Sequence, residues 1–83
     1  MTNDIYKSVD ALVSQLRGHG YDSIASFLND AKHVGGSASE TLYEIEQVLK
    51  QCRGQIKEAS LIQHIDLLLK WIDDAFLAIG DRK

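Results

Sequence analysis

The stretch from Ser60 to about Ile79 constrains the fold more than any other part of the chain. Its apolar residues recur at alternating spacings of four and three, which is typical of a helix packed lengthwise against other helices. The stripe consists of Leu61, Ile65, Leu68, Ile72, Ala75 and Ile79, and a second line beside it of Ile62, Leu69 and Phe76. A helix with so wide an apolar arc either lies within its own small bundle or offers part of its surface to another chain.

The apolar arc also extends along one flank of this helix. At about 100° per residue, Leu67 and Trp71 fall beside the stripe. The opposite strip is mainly polar and holds Gln63, Asp66, Lys70, Asp73 and Asp74. We therefore expect Leu67 and Trp71 to lie at the edge of the core, exposed or half-exposed to solvent.

Glycines divide the rest of the chain, which contains no proline. The six glycines are Gly18, Gly20, Gly35, Gly36, Gly54 and Gly80. They separate four segments with helical periodicity, at about residues 4–17, 22–33, 38–53 and 60–79. Short connections between helices make neighbours antiparallel. The chain is therefore predicted to be all-α, a single domain over residues 1–83 that forms an antiparallel bundle of four helices.

Each of the first three segments has one apolar face. These faces are Ile5, Val9, Leu12, Val13 and Leu16 in the first, Ile24, Phe27, Leu28 and Ala31 in the second, and Leu42, Ile45, Val48, Leu49 and Cys52 in the third. The outward face of the third holds Glu40, Tyr43, Glu44, Gln47 and Gln51. The apolar faces predict the core, and Tyr43 is a predicted surface aromatic.

Residues that cap helices stand before each segment. The expected N-caps are Thr2 or Asn3, Asp22, Ser37 or Ser39, and Ser60. Two of them open capping-box patterns, Ser37-x-x-Glu40 and Ser60-x-x-Gln63, in which the serine and the later side chain satisfy each other's backbone amides. The third and fourth helices are therefore expected to begin at these boxes.

Composition excludes several classes of protein. The chain has 83 residues, a net charge of −3 and one cysteine. No apolar run approaches the roughly 20 residues that span a bilayer, and Met1 to Lys7 lacks the apolar region of a secretion signal. The single cysteine forms no internal disulfide and fits a reducing cytoplasm. The small acidic charge argues against nucleic acid and is compatible with a basic protein partner.

The residues that carry chemistry in other proteins are dispersed in this one. His19, His33 and His64 lie in three different segments without metal-ligand spacing, so we expect no metal site and no cofactor. Cys52 falls on the inward stripe of its helix, where we expect a small core residue. No strained turn of the kind that presents a nucleophile accompanies the serines, so the chain is not expected to be an enzyme.

Two features of the sequence allow more than one interpretation. His64 flanks the apolar arc near Trp71, where a core-edge histidine with satisfied hydrogen bonds is favoured over a pH-sensitive contact. Gly35, Gly36 and Ser37 before the third helix favour a flexible hinge or cap over a phosphate cradle, because the preceding strand and lysine of a P-loop are missing.

Carboxylates gather on the third and last helices. They are Glu40, Glu44 and Glu46 on the third, and Asp66, Asp73 and Asp74 on the last. An exposed strip lacks the water-poor pocket that acid–base catalysis needs. These acids therefore form either an ordinary solvated face or an anionic surface for a basic partner.

Three motifs in the first half of the chain resemble a known class of protein. They are Leu12-x3-Leu16-x3-Gly20, Ala25-x2-Leu28-x2-Ala31 and Gly36-Ser37-x2-Glu40-x-Leu42. In these motifs the chain is similar to small all-helical bacterial proteins that are encoded beside toxin domains and are assumed to be immunity proteins. The resemblance implies a cytosolic inhibitor that neutralises a toxin by binding it, and it assigns no role to individual residues.

Together these observations predict a non-catalytic protein-binding module, most specifically an immunity protein that neutralises a basic bacterial toxin such as a nuclease. Exposed apolar side chains would anchor the contact, and carboxylates would meet basic residues of the toxin. The predicted partner-binding residues are Glu40, Tyr43, Glu44, Leu67, Trp71, Asp73 and Asp74. The alternative is a homodimeric structural or regulatory bundle in which the last helix pairs with its own copy.

Overall fold

The described residues form four α-helices. The computed structural model describes residues 4–34, 36–78 and 80. Its helices are α1 (Ile5–Gly18), α2 (Asp22–Val34), α3 (Ala38–Cys52) and α4 (Ala59–Ala78), with a 3-10 turn at Arg53–Gln55 before α4. No strand occurs in these described ranges. The predicted all-α bundle of four helices is confirmed.

The helices pack in a closed square. α1 packs against α2 and α4, and α3 packs against the same two helices. An ion pair between Lys32 and Asp10 joins α2 to α1, and a second between Arg53 and Asp66 joins the 3-10 turn after α3 to α4. Because each helix has two main neighbours, α2 and α4 lie at diagonal corners, and surfaces on these two helices face different sides of the molecule.

The core lies along the axis of the square. In α1, all five residues of the predicted apolar face are buried, and in α4 the buried residues are Leu61, Ile65, Leu68, Ile72 and Phe76. Ile62, Leu69, Trp71 and Ala75 pack against this cluster while partly exposed. The predicted stripe of α4 is therefore confirmed as far as Ala75, and Ile79 lies outside the described residues.

The helix starts agree with the sequence only in part. α1 is capped by Asp4, whose side chain accepts from the Lys7 amide at 3.0 Å, and the expected caps Thr2 and Asn3 lie outside the described residues. α3 is capped by Ser37 as predicted, with Oγ accepting from the Glu40 amide at 3.3 Å. The returning bond goes from the Gly36 amide to the Glu40 carboxylate, one residue earlier than a capping box requires.

Of the other two helices, α2 begins where its predicted range began and α4 begins before its predicted cap. α2 includes Asp22 as its first residue, where a carboxylate favours the positive end of the helix dipole. α4 begins at Ala59, because the amides of Leu61 and Ile62 both donate to the Glu58 carbonyl at 3.1 Å. Ser60 therefore lies inside the helix, and the predicted Ser60 capping box is wrong.

Two side chains occupy environments opposite to those expected. Phe27 was predicted to be inward and is 62% exposed, because the inward stripe of α2 passes through Ala25 and Leu28 instead. Glu46 belongs to the carboxylates expected on an exposed strip and is only 2% exposed. Its carboxylate is 3.9 Å from Lys50 Nζ, one turn further along α3.

Candidate functional site

An open groove runs between α2 and α3. Its volume is about 290 Å³. It is lined by Phe27, Asp30, Ala31 and Val34 from α2, by Glu44, Val48, Gln51 and Cys52 from α3, and by Gln55 from the turn that follows. Both helices contribute along about two turns, so the groove is an elongated surface feature of the kind that receives a segment of another chain.

Two exposed apolar side chains stand on the α2 side of this groove. Phe27 is 62% exposed and Val34 is 65% exposed, more than any other large hydrophobic residue in the described part of the chain. They are seven residues apart, which places them on the same face of the helix two turns from each other. An exposed apolar face that is continuous along a helix is typical of an interaction surface.

The base of the groove is apolar and unreactive. Cys52 is buried and its thiol is free, as the inward stripe of α3 predicted. Burial raises the pKa of the Cys52 thiol, because the apolar surroundings disfavour the thiolate. The thiol therefore acts as a small apolar contact beneath Ala31 and Val48.

The charged side chains that line the groove are acidic. Asp30 and Glu44 are the charged residues among those that line it, one on each helix. Gln51 and Gln55 add amide groups that both donate and accept. The nearest basic residue on α2 by sequence, Lys32, is paired with Asp10 of α1. The groove is therefore an apolar surface between two carboxylates.

The structure does not gather the predicted partner-binding residues onto one surface. On α3, Glu44 lines the groove, Tyr43 is 51% exposed one residue away, and Glu40 accepts from the Gly36 amide. On α4, Leu67 is 44% exposed and Trp71 is half-buried against the core. The predicted exposure of Tyr43 and Leu67 is confirmed, but α4 is diagonal to α2 and does not border the groove.

The two acids predicted on α4 lie on different flanks of that helix. Asp73 is two turns after Asp66, whose side chain pairs with Arg53 at the end of α3. Asp74 is one turn after Trp71. Both are exposed. Because about 100° separates consecutive residues of a helix, these two carboxylates point in different directions.

A polar cluster that the sequence did not predict lies between α1 and α4. His64 Nε2 is 2.9 Å from Ser8 Oγ, and His64 Nδ1 is 2.9 Å from Gln15 Oε1. Ser8 and Gln15 are seven residues apart on one face of α1, so their side chains meet the imidazole from two successive turns. This confirms the core-edge histidine with satisfied hydrogen bonds, and it brings a hydroxyl against a ring nitrogen.

The hydrogen bonds determine the protonation of this histidine. The amide oxygen of Gln15 only accepts, so Nδ1 of His64 carries the proton and donates to it. Nε2 then has a free lone pair and accepts from the Ser8 hydroxyl. Burial lowers the pKa of His64, and a hydrogen bond with the backbone of Ser8 raises it to a smaller extent. The neutral imidazole is therefore the favoured form at neutral pH.

Metal binding and membrane insertion find no support in the residues that the structure describes. Among them, no three His, Cys, Asp or Glu side chains are placed to hold one metal ion. None of the described helices combines the length and the apolar character needed to cross a bilayer. His19 and His33 lie exposed at the ends of α1 and α2.

Comparisons of the chain with known protein families, with curated proteins and with solved structures found no match. The features that bear on function are the α2–α3 groove and the Ser8–His64–Gln15 cluster. The similarity to immunity proteins remains a hypothesis.

Proposed function

We propose that this chain is a protein-binding helical bundle whose α2–α3 groove receives an apolar, positively charged segment of a partner protein. The observation that carries the proposal is the pair of exposed side chains Phe27 and Val34 above an apolar base. Burying both would remove more apolar area from water than burying any other exposed pair on α2, and aromatic anchors dominate the energy of many interfaces.

The shape of the groove favours a helical or extended segment. Phe27 and Val34 are spaced by two helical turns, and the α3 wall presents Glu44, Val48 and Gln51 at the matching spacing. A partner helix with apolar residues at positions i, i+3, i+4 and i+7 would place them along this length. The free backbone groups of an extended segment would meet the amides of Gln51 and Gln55.

The acidic side chains of the groove favour a positively charged partner. Lysine or arginine beside the apolar residues would meet Asp30 on one wall and Glu44 on the other. A second copy of the chain would place like carboxylates against each other, so the groove favours a basic partner over self-association. The net charge of −3 acts in the same direction at longer range.

An immunity-type inhibitor is the specific form of this proposal. Neutralising a basic toxin domain in the cytoplasm requires an acidic surface with an apolar anchor, and the groove has both. The competing homodimer through α4 is less favoured, because Trp71 packs against the core of its own chain, and Leu67 and Leu77 are the exposed large apolar residues in the described part of α4.

Selection of peptides against the folded protein tests the groove without a known partner. A displayed library of random 16-residue peptides is selected on the wild type and, in parallel, on Phe27→Asp. The enriched wild-type binders should combine apolar residues with lysine or arginine, lose at least tenfold in affinity for Phe27→Asp, and weaken as salt rises. Circular dichroism checks that the variant keeps its helices.

Two matched variants locate the binding surface. Tyr43→Asp changes an aromatic residue that is similarly exposed on α3, and Leu67→Asp changes an exposed leucine on α4. Both should retain the affinity of the wild type for the selected peptides. Loss of binding in Tyr43→Asp or Leu67→Asp with retention in Phe27→Asp would place the interface elsewhere, and enrichment of acidic peptides would overturn the proposed partner charge.

A further inference from the structure

The Ser8–His64–Gln15 cluster has the connectivity of an activated hydroxyl. The Ser8 hydroxyl donates to Nε2 of His64 and Nδ1–H donates to Oε1 of Gln15, each over 2.9 Å. In this order the imidazole is oriented by an acceptor on one side and has its lone pair directed at an oxygen nucleophile on the other. Helix packing alone would require neither this order of hydrogen bonds nor a proton on Nδ1 of His64.

The cluster is also open to small molecules. Ser8 and His64 are partly exposed, and Gln15 is exposed. Ala11 lies between Ser8 and Gln15 on the same flank of α1 and is exposed. The side chain between these two residues on that flank is therefore a methyl group. Part of the cluster is therefore accessible from solvent.

We infer that Ser8 is a nucleophile that takes acyl groups from activated esters, with His64 as its general base and Gln15 as a positioning residue. Ser8 Oγ forms a bond to the carbonyl carbon while its proton passes to Nε2 of His64. The bond from that carbon to the leaving oxygen breaks, and the leaving group departs with the electron pair. The products are O-acyl-Ser8 and the released alcohol or phenolate, and the proton on His64 returns to solvent.

Acetylation by 4-nitrophenyl acetate tests this inference directly. Nitrophenolate release is followed at 400 nm as a generic readout, and peptide mapping by mass spectrometry assigns the acetylated residue. We expect rapid single acetylation of Ser8 in the wild type, none at this position in Ser8→Ala, and a decrease of about a hundredfold in the rate at Ser8 in His64→Asn. Ser14→Ala, an exposed serine on the same helix, should match the wild type.

The role of Gln15 is tested by the pH profile. Acylation of Ser8 should rise with pH as His64 loses its proton, with a midpoint below the ordinary value of 6.5. Gln15→Glu places a carboxylate against Nδ1 and should move that midpoint upward, a change that a purely structural residue would not cause. Asp4 and His19 are the titratable residues that lie one turn from Ser8, Gln15 or His64 along their helices. Asp4→Asn should leave the midpoint of the pH profile unchanged.

Two results would contradict the role of Ser8 as a nucleophile. Acetyl groups found only on lysines or the amino terminus, with Ser8 unmodified, would overturn the inference. So would an unchanged rate at Ser8 in a His64→Asn variant that keeps the helical circular dichroism of the wild type.

Discussion

Tyr21 and Glu58 are joined by a 2.6 Å hydrogen bond across 37 residues of sequence, with the phenol donating to Oε1. The Tyr21 oxygen also accepts from the Lys57 amide at 3.3 Å, and His19 Nδ1 lies 3.6 Å from Oε2 of Glu58. These contacts tie the turn between α1 and α2 to the residues that start α4. The hydrogen bond from Tyr21 lowers the pKa of Glu58, and the same bond raises the pKa of Tyr21.

Replacing Tyr21 with phenylalanine removes this tie while keeping the ring. We expect a small fall in the urea midpoint at pH 7 for Tyr21→Phe, and no change for Tyr43→Phe, whose side chain is exposed on α3. The folded pKa of Glu58 is depressed, so its contribution is present above the ordinary value of 4.5 and is lost as the pH falls through the folded value. The difference between wild type and Tyr21→Phe should therefore shrink in acid. Equal midpoints at pH 7 would contradict the tie.

Leu67 and Leu68 are adjacent on α4 and give a matched test of the core. Leu68 is fully buried and Leu67 is 44% exposed. Leu68→Ala should lower the free energy of unfolding by about 2–5 kcal/mol, a large part of the total for a domain of this size. Leu67→Ala should change it by less than about 0.5 kcal/mol. Urea unfolding followed by circular dichroism measures both, and similar losses in the two variants would contradict the orientation of α4.

The helices and most of the core could be predicted because they depend on local patterns. A periodic apolar face determines which side of a helix turns inward, and α4 shows this at Leu61, Ile65 and Leu68. Ser37 likewise caps α3 through its own neighbours in sequence. Each of these features is decided within one or two turns of the chain.

The groove and the histidine cluster depend on how the helices are rotated against one another. The spacing of Phe27 and Val34 was visible in the sequence, but whether a neighbouring helix covers Phe27 is decided by α3. Ser8 and Gln15 share a flank of α1, and the spacing alone does not identify His64, 49 residues beyond Gln15, as their partner. Glu46 is likewise buried, although the pattern of carboxylates on α3 predicted an exposed strip.

Gly20 holds a backbone conformation that other residues adopt at a cost. Its φ is +85°, and nothing lies within 4 Å of the position that a Cβ would take, so strain rather than crowding limits substitution. Gly20→Ala should destabilise the fold by about 1–2 kcal/mol. Gly54 also has open space and lacks a positive φ, so Gly54→Ala should be neutral or stabilising by up to about 1 kcal/mol. Thermal unfolding distinguishes the two, and equal effects would contradict the left-handed turn at Gly20.

Ser37 and Ser39 were rival caps for α3, and the structure assigns the role to Ser37. Ser37→Ala removes the acceptor for the Glu40 amide and should cost about 1 kcal/mol, whereas Ser39→Ala lies inside the helix and should be close to neutral. Chemical unfolding of both variants measures the difference. A larger loss in Ser39→Ala would move the start of α3 by two residues.

His64 makes stability depend on pH in a direction that its surroundings determine. Burial lowers its folded pKa, so the unfolded chain binds a proton more readily than the folded one between the two values. Stability should therefore be full above pH 6.5, the ordinary value, and fall as the pH drops from there towards the folded value. His64→Gln keeps a polar side chain between Ser8 and Gln15 and removes the titration, so its urea midpoint should be flatter across this range. His33→Gln, at the exposed end of α2, is the control and should keep the slope of the wild type. A wild-type midpoint that rises as the pH falls from 7.5 to 5.5 would contradict a histidine held neutral between α1 and α4.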